Sequence, residues 1–235
     1  MLLVSIGDFF FKWRNQIFPL LMLTLIVVPP AQGSVFGVDE DLLDVVGMLA
    51  MLTGEALRIG VVGLKYIRRG GLGKKVYADD LVTDGFFGVC RNPLYFGNIL
   101  IAVGALLMHA NAALMISGIF SMLFIYVAIV ATEENFLRQK FDDGYRAYCA
   151  DVNRWLPNLA RLPAASTGMV FNVRRVVAKE YPTAGGVAGG MIILQARETY
   201  GISGGVPPMA WVALVVVIVL VLCARTAKKT GYLND

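Results

Sequence analysis

The sequence predicts an all-α protein, a polytopic membrane helical bundle of about six transmembrane segments with a cytoplasmic amphipathic helix. Three observations lead there. The 235 residues are 57% apolar and 16% charged, with mean hydropathy +0.65, whereas soluble domains carry about 25% charged residues. Apolar segments recur at 16–30, 42–65, 95–110, 112–131, 183–203 and 208–224. The basic residues are also unevenly placed: of 21 Lys and Arg, only Arg58 and Arg197 lie inside segments, and the other 19 fall on the side that holds both termini. The opposite loops carry Asp39, Glu40 and Asp41, then His109-Ala110-Asn111, then Gly204-Gly205. Basic residues stay in the cytoplasm, so both termini are expected there. The net charge of +4 then describes a cytoplasmic membrane face and not a nucleic-acid groove.

The first residues, Met1-Leu2-Leu3-Val4 and Phe9-Phe10-Phe11, read as an interfacial approach to the first span. A signal peptide is the alternative for 1–34, with Lys12 and Arg14, an apolar core and Ala31-Gln32-Gly33-Ser34, but the apolar start argues against it. The second span carries Glu55 and Arg58, three apart and able to pair along one helix face, with Arg197 or Glu198 as other partners. Residues 66–94 form a charged, Gly-rich cytoplasmic segment, with a turn expected at 70–73. Asn92-Pro93 is a helix start: Asn is a favoured N-cap, and Pro suits the first helical position.

From Tyr95 to Glu133 run 38 residue steps with no charge and one His. At about 1.5 Å per residue this allows roughly two passes of a hydrocarbon core about 30 Å thick. The hairpin thus returns Glu133-Glu134 to the face where Arg91 stands. Phe136, Leu137, Phe141, Tyr145 and Tyr148 then recur at three- and four-residue spacing, an amphipathic cytoplasmic helix ended at Leu156-Pro157. His109 reads as a loop residue at the far-side turn, and the Gly-rich stretch 185–190 as a helix-packing face. The last segments divide the chain into 1–76, a core at 77–158, and 159–235. Cys90, Cys149 and Cys223 form no CxxC pattern, so neither a disulfide framework nor a metal site is expected.

The candidate chemistry lies at the two ends of the hairpin. A helix N-terminus with Arg91 beside it suits a carboxylate or phosphate; ordinary capping and snorkelling of Arg91 to headgroups is the plainer reading. Two Glu at a helix C-terminus oppose the macrodipole and call for a cation: a ligand, Arg91 or Arg138.

Leu81-Val82-Thr83-x-Gly85, Arg91-x-Pro93-x-Tyr95-x-Gly97, Glu133-Glu134 and Phe141-x3-Tyr145-x2-Tyr148 follow in order. Over about 77–158 this resembles the isoprenylcysteine carboxyl methyltransferase family, integral-membrane enzymes dependent on S-adenosylmethionine and related to the phospholipid methyltransferases. The resemblance implies cofactor contacts from Asp79, Asp80, Leu81, Val82, Phe87, Asn92, Pro93, Leu94, Tyr95 and Glu133. Arg91, Tyr95 and Glu134 are the candidate catalytic residues, and for an acceptor that must lose a proton Glu134, Tyr95 or Tyr145 is the nearest base. The cofactor's carboxylate matches the Arg91 end, its ammonium matches Glu133, and its adenine and sulfonium match apolar and π surface. Two departures stand out. Asn92 replaces the family's usual His, and Ile129 stands where eukaryotic members place an Arg facing the prenylcysteine carboxylate. Arg58 and Arg197 are the intramembrane cations that could supply that charge to a substrate.

The expected activity is methyl transfer to a lipophilic acceptor, an isoprenylcysteine-like carboxylate or another lipid, among membrane lipids and without nucleic acid or metal. An NADPH-dependent reductase of the sterol-reductase kind and a non-catalytic membrane scaffold are the alternatives. Asp79, Asp80, Asp84, Glu133 and Glu134 make the neighbourhood acidic, which disfavours a cofactor with several phosphates.

Overall fold

The computed structural model describes residues 2–30, 33–65, 73 and 75–233. Arg68, Arg69, Lys74, Ala31, Gln32 and, apart from Gly73, the turn expected at 70–73 lie outside the described residues. Among the described residues the named elements are all helical: α1 (Leu2–Val27), α2 (Glu40–Leu64), a 3-10 turn at Gly85–Gly88, α3 (Pro93–His109), α4 (Ala112–Asp151), a second 3-10 turn at Leu159–Arg161, the single turn α5 (Leu162–Ala165), α6 (Val173–Ser203) and α7 (Pro208–Lys229). By length and composition α2, α4 and α7 could cross a membrane, and α3 is a shorter apolar helix. That accounts for three of the six expected spans on this measure.

Side-chain contacts set the helix directions. Thr132 donates to Val4 O at 2.7 Å, and His109 Nε2 lies 3.0 Å from Val28 O, so α1 runs antiparallel to α4. Arg175 donates to Val62 O and Gly63 O at 2.7 Å, which brings the start of α6 to the end of α2. Lys228 lies over the Tyr181 ring, so the end of α7 returns to the start of α6. The starts of α1, α3 and α6 therefore share one end of the bundle with the ends of α2, α4 and α7. That end carries Lys65, Arg91, Arg154, Arg174, Arg175, Lys228 and Lys229.

α2 and α3 approach through glycine. A methyl group on Gly54 would lie 2.5 Å from Gly97 O, and one on Gly47 would lie 2.6 Å from Gly104 O. The pairs are seven residues apart on both helices, which holds two antiparallel backbones in one register. The 185–190 stretch is a packing face only in part: Gly185 faces Val221, while Gly186 and Gly189 face open space.

Several local expectations are corrected. α1 begins at Leu2 as one helix, so Lys12 and Arg14 sit within it and not before it. The amphipathic stretch continues α4 directly and breaks at Asp142 (φ 36°, ψ −107°), and the helix ends at Asp151, ahead of Leu156-Pro157. His109 is the last residue of α3 and is fully buried, not a plain loop residue. Arg197, by its contacts with Leu25 O and Val28 O, joins His109 in satisfying the free carbonyls at the C-terminus of α1.

Candidate active site

Pro93 opens α3, but Asn92 is no side-chain cap: its Nδ2 donates to Arg154 O at 3.0 Å, leaving the first turn without a side-chain acceptor. The reason is a strap after α4 that folds back along residues 88–92. Arg91 N donates to Asn153 O at 2.8 Å, Asn158 N to Val89 O at 3.1 Å, and Cys90 Sγ to Trp155 O at 3.1 Å. Cys90 is buried there, and loss of water pushes its thiol above the ordinary range. From α4, Tyr148 Oη donates to Phe87 O at 2.7 Å and anchors the 3-10 turn.

The hairpin brings its two polar ends together. Tyr95 Oη donates to Glu133 Oε1 at 2.6 Å. Glu134 Oε1 lies 3.1 Å from Arg154 Nε and 3.7 Å from Arg91 Nη2. The cationic partner expected for the paired Glu is thus Arg91 together with Arg154, while Arg138 points to the exposed side. Arg154 escaped the sequence reading because it lies 20 residues beyond Glu134, past the end of the helix. The Nε atom of Arg91 is buried and has no hydrogen-bond partner. A buried cationic donor left unsatisfied is costly, and Arg91 stands two residues before the first residue of α3, whose start has no side-chain cap. Glu133 and Arg91 together offer one carboxylate and one guanidinium donor at the same end of the bundle.

Around this centre the other expected residues divide. Val82, Phe87 and Leu94 share an apolar cluster with Val61 and Val62 of α2. Leu81 packs instead beside Tyr145 and Tyr148. Asp79 and Asp80 are exposed, with Tyr77 donating to Asp79 at 2.6 Å. Tyr95 lies 5.2 Å from the ring of Tyr126, which stacks on Phe18 at 5.1 Å. A groove of about 790 Å³ adjoins this region, lined by Thr83, Gly88, Tyr148, Asp151, Arg161 and Ala165 among others.

The two arginines expected near a substrate occupy different places. Arg58 is buried between α2, α3 and α6, 2.6 Å from Glu180 and 3.9 Å from Glu55, and it also binds Asn98 and Thr183. The expected pairing with Glu55 is present but secondary. Glu180, 122 residues away, was not visible as a partner in the sequence. Gly97 makes room for the Arg58 side chain, whose Cγ lies 2.8 Å from where a Cβ would be. Arg197 and Glu198 belong to α6, and the contacts of Arg197 with α1 put them at the opposite end of the bundle. Among the described residues no group of three or more His, Cys, Asp and Glu gathers in a metal-binding arrangement.

The chain is 28% identical over 119 residues to the cobalt-zinc-cadmium resistance protein CzcN of Cupriavidus metallidurans, covering 48% of this chain and 55% of that one. It is 24% identical over 141 residues to the nickel-cobalt-cadmium resistance protein NccN of Alcaligenes xylosoxydans xylosoxydans, covering 52% and 65%. The chain therefore spans less than two thirds of either relative. No solved structure matches. The sequence model of the phospholipid methyltransferase family matches residues 44–144, from the first turns of α2 through α3 to just beyond the break in α4. The matched stretch holds the hairpin and both glutamates, and over it the chain is similar to the phospholipid methyltransferase family.

Proposed function

We propose that the protein is an integral-membrane methyltransferase that crosses the bilayer six times, keeps its site at the cytoplasmic face and methylates a lipophilic acceptor with S-adenosylmethionine. The observation that carries this reading is the meeting of Arg91 and Tyr95 at the start of α3 with Glu133 and Glu134 on α4, inside the region matched to a methyltransferase family.

The residues present fit a zwitterionic cofactor. The unsatisfied Nε of Arg91 and the uncapped first turn of α3 would take a carboxylate. Glu133, oriented by the Tyr95 hydroxyl, would take an ammonium. Leu94 and Tyr95 would supply apolar and π surface, with Leu81, Val82 and Phe87 adjoining. When bound, the cofactor supplies the methyl group on a sulfonium, and the task left to the protein is alignment and exclusion of water. Glu134 lies between two guanidiniums and anchors Arg91 and Arg154. The Tyr95–Glu133 pair is then the group placed to handle a proton where the acceptor must lose one. Two relatives are named for metal resistance; in this reading the chain would serve such a phenotype by altering a membrane component and not by ligating metal.

The test is binding to purified protein. S-Adenosylmethionine raises the melting temperature and NADPH does not, and Glu133→Ala weakens the first by about tenfold or more, as expected for loss of a charged partner. Stabilisation by NADPH alone, or unchanged affinity in the variant, would sink the assignment.

A further inference from the structure

Glu55, Arg58 and Glu180 are all buried where α2, α3 and α6 meet. Apolar side chains of similar volume often replace a buried ion pair without loss of stability, so packing alone gives no reason for charges here. What a guanidinium adds is direction, because it carries its donors in a rigid fork and has no acceptor. On one side Glu180 Oε2 accepts from Arg58 Nε at 3.1 Å and from Nη2 at 2.6 Å, and Thr183 Oγ1 accepts from Nη2 at 3.2 Å. On the other side Nη1 donates to Asn98 Oδ1. Since arginine cannot accept, the Asn98 amide must turn its oxygen to Arg58, which leaves its nitrogen free to donate elsewhere. The partner is the Tyr126 hydroxyl of α4.

Asn98 lies three residues after Tyr95, on the same face of α3. The Tyr126 ring is 5.2 Å from that of Tyr95 and stacks on Phe18 at 5.1 Å, almost wholly buried. Tyr95 thus packs on Tyr126 and on the cluster of Phe11, Ile125 and Ile129, with its hydroxyl 2.6 Å from Glu133. A continuous line of contacts runs from Glu180 through Arg58, Asn98 and Tyr126 to the Tyr95–Glu133 pair. It begins on α6, outside residues 44–144.

We propose that Glu180 is a positioning residue for the Tyr95–Glu133 pair, acting through Arg58, Asn98 and Tyr126. Glu180 and Thr183 fix the guanidinium, and the guanidinium fixes the Asn98 amide. The amide fixes the Tyr126 ring, and that ring sets the plane in which the Tyr95 hydroxyl reaches Glu133. The inference rests on the reading of Glu133 as the partner of the cofactor's ammonium, and it adds what aims that carboxylate.

The experiment uses the full chain in a neutral maltoside detergent. It reads the melting temperature, the affinity for S-adenosylmethionine, and the fluorine NMR spectrum of protein labelled with 3-fluorotyrosine. The Tyr95 line is identified by its absence from Tyr95→Phe. The double variant Arg58→Met with Glu180→Met removes the charges and keeps the bulk, and it is expected to melt no lower than wild type. It is nevertheless expected to bind the cofactor about tenfold more weakly, as is Asn98→Leu, with Asn98→Gln recovering part of the loss. Tyr126→Phe, which loses only a hydroxyl, is expected to weaken binding about fivefold. In each of these the Tyr95 line moves with no cofactor present. In a Tyr95→Phe background the losses vanish, because the line of contacts acts only through that hydroxyl. Glu180→Gln carries the same comparison should the double variant fail to fold. Unchanged cofactor affinity in the folded variants overturns the proposal, and so does a Tyr95 line that stays in place. Losses that persist in full in Tyr95→Phe overturn it as well. Failure of wild type to bind S-adenosylmethionine, with the Tyr95 line still dependent on Glu180, would instead overturn the methyltransferase reading and leave the positioning role standing.

Discussion

Tyr95 and Glu133 are 38 residues apart and joined by a 2.6 Å hydrogen bond, so the hydroxyl orients a carboxylate that would otherwise swing freely. Neighbouring Glu134 has the same chemistry and a different task, because Arg91 and Arg154 claim it. Beside them Cys90 donates its thiol to Trp155 O under the strap. Burial raises its pKa, and the thiolate is the form that reacts. The neutral thiol is therefore favoured in the folded chain through neutral pH, and ionisation is delayed as pH rises. Alkylation of Cys90 by iodoacetamide is expected to be far slower in the native protein than after denaturation at the same pH, and to accelerate only above the pH at which a free cysteine reacts. Mass mapping of the modified peptide checks this; equal rates in the two states would contradict the buried placement. The sequence made the two glutamates and Arg91 legible because a charge-free run of hairpin length fixes where its ends must meet. It could not reveal Arg154 or Glu180, whose places depend on how a strap and a separate helix pack.

At the level of elements, the hairpin boundaries were legible from hydropathy and from Asn92-Pro93, and α3 begins at Pro93 as that pair implies. The capping role was not, because the Asn92 side chain is committed to the strap, its Nδ2 donating to Arg154 O, and its oxygen accepts from no amide of the first turn. The α2–α3 contact was equally hidden. Gly47, Gly54, Gly97 and Gly104 look unremarkable singly, and only the antiparallel pairing gives their seven-residue spacing a meaning. Gly54→Val is expected to destabilise the protein by about 1–3 kcal/mol through forced separation of the helices. Gly186→Ala, at a position facing open space, is expected to change little or to stabilise slightly. Thermal unfolding in detergent compares the two, and equal effects would argue against the close approach. The charged clamp of Arg58 with Glu180 sits in the same interface and links α6 to the hairpin.

For the molecule as a whole, the uneven distribution of basic residues foretold which helix ends lie together. The contacts place Arg174, Arg175, Lys228 and Lys229 at the same end as the Arg91 site, as that distribution requires. Hydropathy was less informative about α1, which carries Lys12 and Arg14 inside it, and about α6, whose Glu180 and Arg197 meet partners only in three dimensions. One side of the Tyr95–Glu133 pair is bounded by the polar strap and the other by the apolar wall of α1. The two reactants would therefore come from different phases, one counted per litre of water and the other per molecule of lipid. In proteoliposomes, added inert lipid should slow turnover at constant total acceptor, and extra cofactor should not restore it. A rate that follows bulk acceptor concentration would mean that the α1 wall is not the way in. With a partition of this kind, acceptor crowding in the leaflet, and not cellular acceptor abundance, would set the pace of the enzyme.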